Sequence, residues 1–384
     1  MKPKIKYKFV PHGTTAPEPV AVNALWIDVG NKAVLQVLDH HGGDTNAKSA
    51  FELILKEYKK FIIPPLAEIK ELTFVLHTSP DLDAICSAWL AEKILNTPEK
   101  IDQDFSLKKI EKAVSENDQG LVRTKEPKSN WAIVMRTILM TEYSQFSDFS
   151  KLKAALKLVE KTYIILQKNG SFEDAAKTII FPKIENTLDK AQKEYSIDIS
   201  KADIFQTDLP KMGTVCEKNF LSPKRINRKI ADAVTLYNPI SILFKELVRG
   251  DVINSPQKQG FDLLIVVRDI KLFKNRALKR YIISTDPLSG FHLKGLGAKL
   301  EQLEQIKEEK IGLPLLKGRE RVDKGLGRYG SNVKASWYDG RGHDYTIVDS
   351  PAVEDHGKIY CVSCLTIHEI ISALNNFAVL KKNR

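Results

Sequence analysis

At 384 residues the chain is long enough for two domains, each with its own core, and a composition of 43% hydrophobic and 28% charged residues excludes wholesale disorder. No apolar run approaches the ~20 residues of a membrane-spanning helix, and the opening Met1-Lys2-Pro3-Lys4 lacks the uninterrupted apolar region of a secretory signal, so a cytoplasmic location without membrane partners is expected. The formal charge of +11 favours polyanionic partners such as nucleic acid or nucleotides, although lysine enrichment also serves solubility.

Taken in order, Lys4-Ile5-Lys6-Tyr7-Lys8-Phe9 alternates basic and apolar residues, the pattern of a strand with one solvated face whose lysines discourage edge pairing. After His12-Gly13, a proline-containing loop leads into Ala24 to Ile27, the first buried strand, which Asp28 ends. The segments Trp26-Ile27-Asp28-Val29-Gly30 and Val37-Leu38-Asp39-His40-His41-Gly42 share one design, an apolar run closing on polar residues able to ligate a metal. Phe51, Ile54, Leu55 and Tyr58 then recur at helical spacing between Ser49 and Ile62, and Pro64-Pro65 is expected to stop that helix.

Leu72, Phe74, Val75 and Leu76 read as a second buried strand, and the chain from Ala84 through Trp89, Leu90, Ile94 and Leu95 reads as a helix. Between them lie His77, Asp81 and Asp83, at the carboxyl end of a strand, where open α/β sheets place their sites. Ser79 is the expected N-cap, with Pro80 at the first helical position. Two carboxylates and an imidazole repel or strain one another unless a cation joins them, and oxygen and imidazole donors suit manganese or magnesium. The bland alternative has the aspartates favouring the positive end of a helix and His77 ending a strand. Strand, triplet, helix, strand, His-Asp-Asp motif, helix is a βαβ-like order. It predicts an α/β class with a doubly wound, mainly parallel sheet.

His77-x-x-x-Asp81-x-Asp83 and Asp39-His40-His41 resemble the two signature motifs of the DHH phosphoesterase superfamily, and the Asp28-Val29-Gly30 upstream looks most like the melanocyte-proliferating-gene type exonucleases within it. In typical members the His-x-x-x-Asp-x-Asp motif comes first; here it follows the triplet, which resembles a circular permutation. A parallel sheet tolerates this, since ligands gather by strand position rather than chain order. The resemblance covers the first third of the chain. It implies a two-ion site for Mn2+ or Mg2+, with His77 and Asp81 on one ion, Asp83, His40 and Asp118 on the other, and Asp28 bridging. It also implies that His41 orients the phosphate or protonates the leaving group while Asp39 holds an imidazole. Asp118, in Ser-Glu-Asn-Asp-Gln-Gly after the helical stretch Leu107 to Val114, is the choice for the lone aspartate of the fourth motif; Asp44, Asp102 and Asp104 are its rivals.

From Ile101 to Tyr195 the pattern is a helical extension, with helices at Trp131 to Met140 and Leu152 to Gln167 and a capping-box spacing at Ser171-Phe172-Glu173-Asp174. The expected domains are 1–198, carrying the metal site, and 199–384, a smaller α+β or α/β domain that binds substrate. The basic cluster Lys224-Arg225-Ile226-Asn227-Arg228-Lys229 precedes an expected helix from Ile230 to Tyr237, as a solvated helix start or a phosphate contact. Strands are expected at Phe261 to Val267, Arg280 to Ser284, Lys334 to Tyr338 and Tyr345 to Val348. Helices are expected from Leu296 to Glu308 and from Thr366, capped by Glu369, to Phe377.

Arg319, Arg321 and Arg328 stand among Gly318, Gly325 and Gly327, a pattern suited to phosphate contact or to a solvated loop. Trp337 to Tyr345 places Arg341 and His343 beside aromatics that could stack a base. Gly340-Arg341-Gly342-His343 faintly resembles the Gly-Gly-Gly-His of the substrate domain that often accompanies the superfamily, with Arg for the second Gly and without the usual small-residue helix; a hairpin turn would use the same glycines. Cys361 and Cys364 with His368 have zinc-knuckle spacing but no second pair, so buried free thiols are expected; with Cys86 and Cys216 they are too few for a disulfide framework. The activity expected is metal-dependent hydrolysis of phosphodiester bonds in nucleic acid, oligonucleotide or nucleotide substrates. The alternatives are an inorganic pyrophosphatase-like hydrolase and a non-catalytic sensor of nucleotides or nucleic acid.

Overall fold

A computed structural model describes residues 3–42, 45–66, 69–211, 228–273, 276–311, 337–340, 347–355 and 358–377. The chain forms two compact units, Met1–Val122 with Glu126–Asp189, and Arg123–Lys125 with Lys190–Arg384.

The first unit begins with β1 (Lys4–Val10), β2 (Ala24–Ile27), β3 (Ala33–Val34) and β4 (Val37–Leu38), followed by helices α1 (Ala50–Phe61) and α2 (Ile63–Leu66), strand β5 (Glu71–His77) and helix α3 (Leu82–Asn96). The sheet order is β1-β5-β2-β4-β3. β1, β5, β2 and β4 run parallel to their neighbours and only β3 is antiparallel, so the sheet is mainly parallel and the class is α/β. Parallel strands buried on both faces read as continuous apolar runs; Ala24, Leu25, Trp26 and Ile27 of β2 are all buried. One face, with Ala24, Trp26, Val37 and Val75, packs on Ala16 and Val20 of the loop after β1. α3, apolar nearly all round its first ten residues, is correspondingly buried and packs against α1, α4 (Phe105–Asp118) and α6 (Asp148–Gln167).

The Ser49 side chain caps α1, while Pro64 and Pro65 sit inside the first turn of α2, where a missing N–H costs nothing. They therefore open a new helical turn instead of simply ending the old one. The helical extension comprises α4, α5 (Trp131–Thr141), α6, α7 (Phe172–Ile179) and α8 (Pro182–Ser200). The capping box at Ser171 forms with Asp174 in the third position, both reciprocal hydrogen bonds being present.

The second unit contains β6 (Asp203–Pro210), β7 (Arg228–Tyr237), α9 (Phe244–Arg249), β8 (Leu263–Phe273), β9 (Arg276–Thr285), α10 (Leu296–Ile311), β10 (Tyr338–Gly340), β11 (Ile347–Asp349), β12 (Ala352–Asp355), β13 (Lys358–Cys361) and α11 (Ile367–Asn376). Among the described residues six strands form a mixed sheet in the order β10-β11-β9-β8-β7-β6, and β12 pairs with β13. Residues Ile230 to Tyr237 belong to β7, which corrects the expected helix. Its Ala231 and Ala233 enter one core with Ile265, Tyr281 and Leu296, while Val234 and Leu236 enter another with Phe244, Val248 and Phe261. A strand buried on both faces loses the alternation that distinguishes it from a helix. α11 opens on the expected capping box between Thr366 and Glu369. Cys361 is buried and Cys364 half-buried. Among the described residues no helix is long and apolar enough to cross a membrane.

Candidate metal centre

Three adjacent parallel strands end at one edge of the first sheet: β5 at His77, β2 immediately before Asp28, and β4 immediately before Asp39 and the 3-10 turn His40–Gly42. The order of the two motifs along the chain therefore has no bearing on where the side chains arrive. Strand neighbours in a parallel sheet deliver their carboxyl ends to the same place whatever their sequence separation. Two helices complete the group, α3 with Asp81 and Asp83 at its start and α4 with Asp118 at its last residue.

His40 Nε2 stands at the middle of one group, 3.5 Å from Asp28 Oδ1, 3.6 Å from Asp83 Oδ2 and 3.5 Å from Asp118 Oδ2. His77 Nε2 lies 3.4 Å from Asp28 Oδ2 and 3.8 Å from Asp81 Oδ1. Asp28 thus offers one oxygen to each group. These distances are too long for charge-assisted hydrogen bonds of about 2.7–2.9 Å. Two donors each about 2.0–2.2 Å from a shared ion lie roughly 3–4.4 Å apart, which brackets the observed values. Asp28 Oδ1 and His40 Nε2 are buried and have no hydrogen-bond partner, although polar atoms at such depth are normally paired. The donor set and these two orphaned atoms fit a metal ion, and the groups Asp28/His77/Asp81, His40/Asp83/Asp118 and Asp28/His40/His41 could each hold one.

Backbone and neighbouring groups aim the ligands. Asp28 has φ 56° and Ser79 φ 51°, left-handed conformations that non-glycine residues adopt at a cost and that recur at functional loops. His77 Nδ1 lies 3.0 Å from the Thr78 carbonyl, an acceptor only, so Nδ1 carries hydrogen and Nε2 faces the carboxylates. Asp39 accepts from the backbone N–H groups of Asn31 at 2.7 Å and His41 at 2.9 Å, and its Oδ1 is 2.7 Å from His41 Nδ1. That bond occupies Nδ1 of His41, the nitrogen for which a contact with Asp28 is also seen, and leaves Nε2 of the partly exposed ring for another partner.

The electrostatics express the same crowding. Burial raises Asp28, but the close imidazoles of His40 and His77 and the nearby His41 outweigh it and hold the carboxyl far below its ordinary range. Burial lowers His40 and His77, yet the surrounding aspartates push them up to about 10 and about 11. Burial and the fields of Asp28 and Asp118 push Asp83 well above the usual carboxylate value.

Asp81, not Ser79, is the N-cap of α3, its side chain accepting from Ala84 N–H at 3.1 Å. The left-handed Ser79 lacks the extended conformation of a cap; its N–H instead donates to Asp148 at 2.9 Å. Asp83 accepts from Ala50 N–H at 2.7 Å, Phe51 N–H at 3.0 Å and the Ser87 hydroxyl at 3.0 Å. Both aspartates therefore do sit at positive helix ends, Asp83 at that of α1, and they converge on the imidazoles as well. Of the rivals to Asp118, Asp102 is held by Tyr58 and Lys59 at the surface, and Asp104 caps α4 and accepts from Tyr163. Asp44 lies outside the described residues, as do Arg319, Arg321, Arg328, Arg341 and His343.

His12 is a neighbour that sequence reading passed over. Its ring stacks on His77 with centroids 3.8 Å apart and planes at 29°. The contact follows from strand pairing that no local pattern announces: β1 runs parallel to β5 with Val10 opposite His77, so residues just past β1 arrive at the same edge. No family model, no curated protein and no solved structure matches this chain.

Proposed function

We propose that the chain is a divalent-metal-dependent phosphoesterase of the DHH type that hydrolyses phosphodiester bonds in nucleic acid or short nucleotide chains. The observation that carries the reading is the sharing of Asp28 between two imidazole–carboxylate groups, with Asp28 Oδ1 and His40 Nε2 buried and unbonded between them. Its oxygen and imidazole donors favour Mn2+ or Mg2+ over thiophilic ions. His77, Asp81 and one oxygen of Asp28 would hold the first ion; His40, Asp83, Asp118 and the other oxygen would hold the second. When bound, such a pair supplies an activated water and neutralises charge developing on the phosphoryl group and the leaving oxygen. His41, fixed by Asp39, presents Nε2 to a phosphate oxygen or to the leaving group, where it donates a proton. Support for a nucleotide-containing substrate comes from the charge of +11, which attracts a polyanion more strongly than a compact anion requires.

The test is a manganese-supplemented screen on pyrophosphate, cyclic dinucleotides, short RNA and single-stranded DNA. Hydrolysis of oligonucleotides, with an affinity that falls steeply with salt, is the expected result. Turnover of pyrophosphate alone would replace the reading with a pyrophosphatase, and metal-dependent binding without turnover would replace it with a sensor.

A further inference from the structure

The start of α6 carries exposed aromatic rings to the rim of the metal loop. Asp148, its first residue, accepts from the N–H of Ser79 at 2.9 Å, two positions before Asp81. Phe149 follows, 50% exposed, and meets Tyr7 with ring centroids 6.1 Å apart. The Lys153 ammonium, one helical turn on, lies 5.3 Å from the Tyr7 ring and 5.7 Å from that of Phe149. On the other side of Asp148, Phe146 is 46% exposed and stacks on Tyr143, centroids 5.0 Å apart and planes at 15°. Burial pushes the half-buried Lys151 ammonium below its usual range, and the charges of Asp148 and Asp81 oppose that shift.

Single exposed hydrophobic residues are unremarkable, but aromatic pairs interleaved with ammonium groups beside a metal-ligand loop are not a scattered pattern. Proteins that hold single-stranded nucleic acid combine π-faces for the bases with cations for the backbone. Pyrophosphate offers nothing for a ring to stack on. Resting on the phosphodiesterase reading of the metal centre, we propose that Phe146 and Phe149 form a base-stacking subsite for a single-stranded oligonucleotide, with Lys151 and Lys153 meeting its phosphates. The lysines commit the surface to a polyanion, since an apolar protein partner would take two ammonium groups out of water without offering them a phosphate. The subsite lies wholly in the first unit and makes the helical extension part of substrate selection.

The experiment compares the full-length chain with a Phe146→Leu/Phe149→Leu variant, which keeps apolar bulk at both positions and removes the π-faces. Binding of a fluorescent hexathymidylate and of an abasic hexamer of the same charge is measured without metal, and hydrolysis of both with manganese. The variant is expected to lose roughly tenfold or more in affinity for the base-bearing strand while changing the abasic strand less than about twofold. Unchanged affinity for hexathymidylate, or equal loss for both strands, would overturn the subsite. A change of oligomeric state on substitution would overturn it too, by assigning the rings to a second copy of the chain. A base-selective loss of binding without hydrolysis of either strand would support the subsite and remove the hydrolytic reading alone.

Discussion

Asp28 and Glu304 are both buried carboxylates, at 5% and 0% exposure, and the two units treat them in opposite ways. Glu304, on α10, is surrounded by donors: its Oε1 accepts from Cys364 N–H at 2.6 Å, and its Oε2 from the Ser363 hydroxyl at 2.6 Å and the Trp337 indole at 3.1 Å. The chain itself answers that charge. Asp28 has no neutral donor within hydrogen-bond distance on Oδ1 and faces imidazoles that face further carboxylates. A buried charge that the fold satisfies internally is structural; one ringed by ligands at metal-sharing separations waits for a cation.

The strongest way to break this contrast is Asp28→Asn. Loss of the carboxylate shared by both groups is expected to lower manganese affinity and any metal-dependent turnover roughly a thousandfold or more. Manganese added to the wild-type chain should stabilise it by about 2.7 kcal/mol at a hundred times the dissociation constant, raising its unfolding midpoint, and should leave the variant unmoved. An equal manganese shift in both proteins would show that Asp28 is no ligand.

Glu304→Ala tests the other side. It leaves three buried donors unpaired and is expected to cost about 3 kcal/mol, roughly 6 °C or more in the midpoint of a domain this size, with manganese binding intact. Calorimetry with and without manganese reads both quantities. Asp118→Asn comes next, with an expected 10- to 100-fold loss of manganese affinity and little change in stability. Asp102→Asn and Asp104→Asn are its controls: Asp102 pairs at the surface, and Asn caps a helix nearly as well as Asp. Equal manganese affinity in wild type and Asp118→Asn would remove it from the site. The smallest effect belongs to His12, whose stack on His77 is expected to contribute roughly two- to tenfold to metal affinity. His12→Ala should lose that factor and His12→Phe should regain it. A failure of Phe to rescue would show that the imidazole nitrogens, not the ring face, are what matters.

Much of this was legible in the residues. The apolar runs closing on Asp28, on Asp39-His40-His41 and on His77 marked three strand ends, and those strands proved adjacent and parallel. The choice of Asp118 rested on its position after a helix, and α4 carries it to within 3.5 Å of His40. Ser171 and Thr366 were readable as caps because a cap is a contact between residues three apart. Where reading failed, the cause was a partner distant in sequence. β7 was taken for a helix because burial on both faces erases strand alternation. Ser79 reads as the cap by residue type, but its left-handed backbone, with its N–H held by the distant Asp148, leaves the role to Asp81.

What the sequence by itself determined, then, are the quantities set by neighbours a few residues apart: periodicity, capping, and the pairing of ligand-type side chains with strand ends. Only the tertiary structure decided that Asp83 serves both the N-terminus of α1 and the imidazole of His40, that His12 lies on His77, and that Asp28 stands between two groups. The physical reason is that strand order in a parallel sheet is settled by packing across crossovers, so contacts among residues 12, 28, 40, 77, 83 and 118 exist only once the sheet has closed.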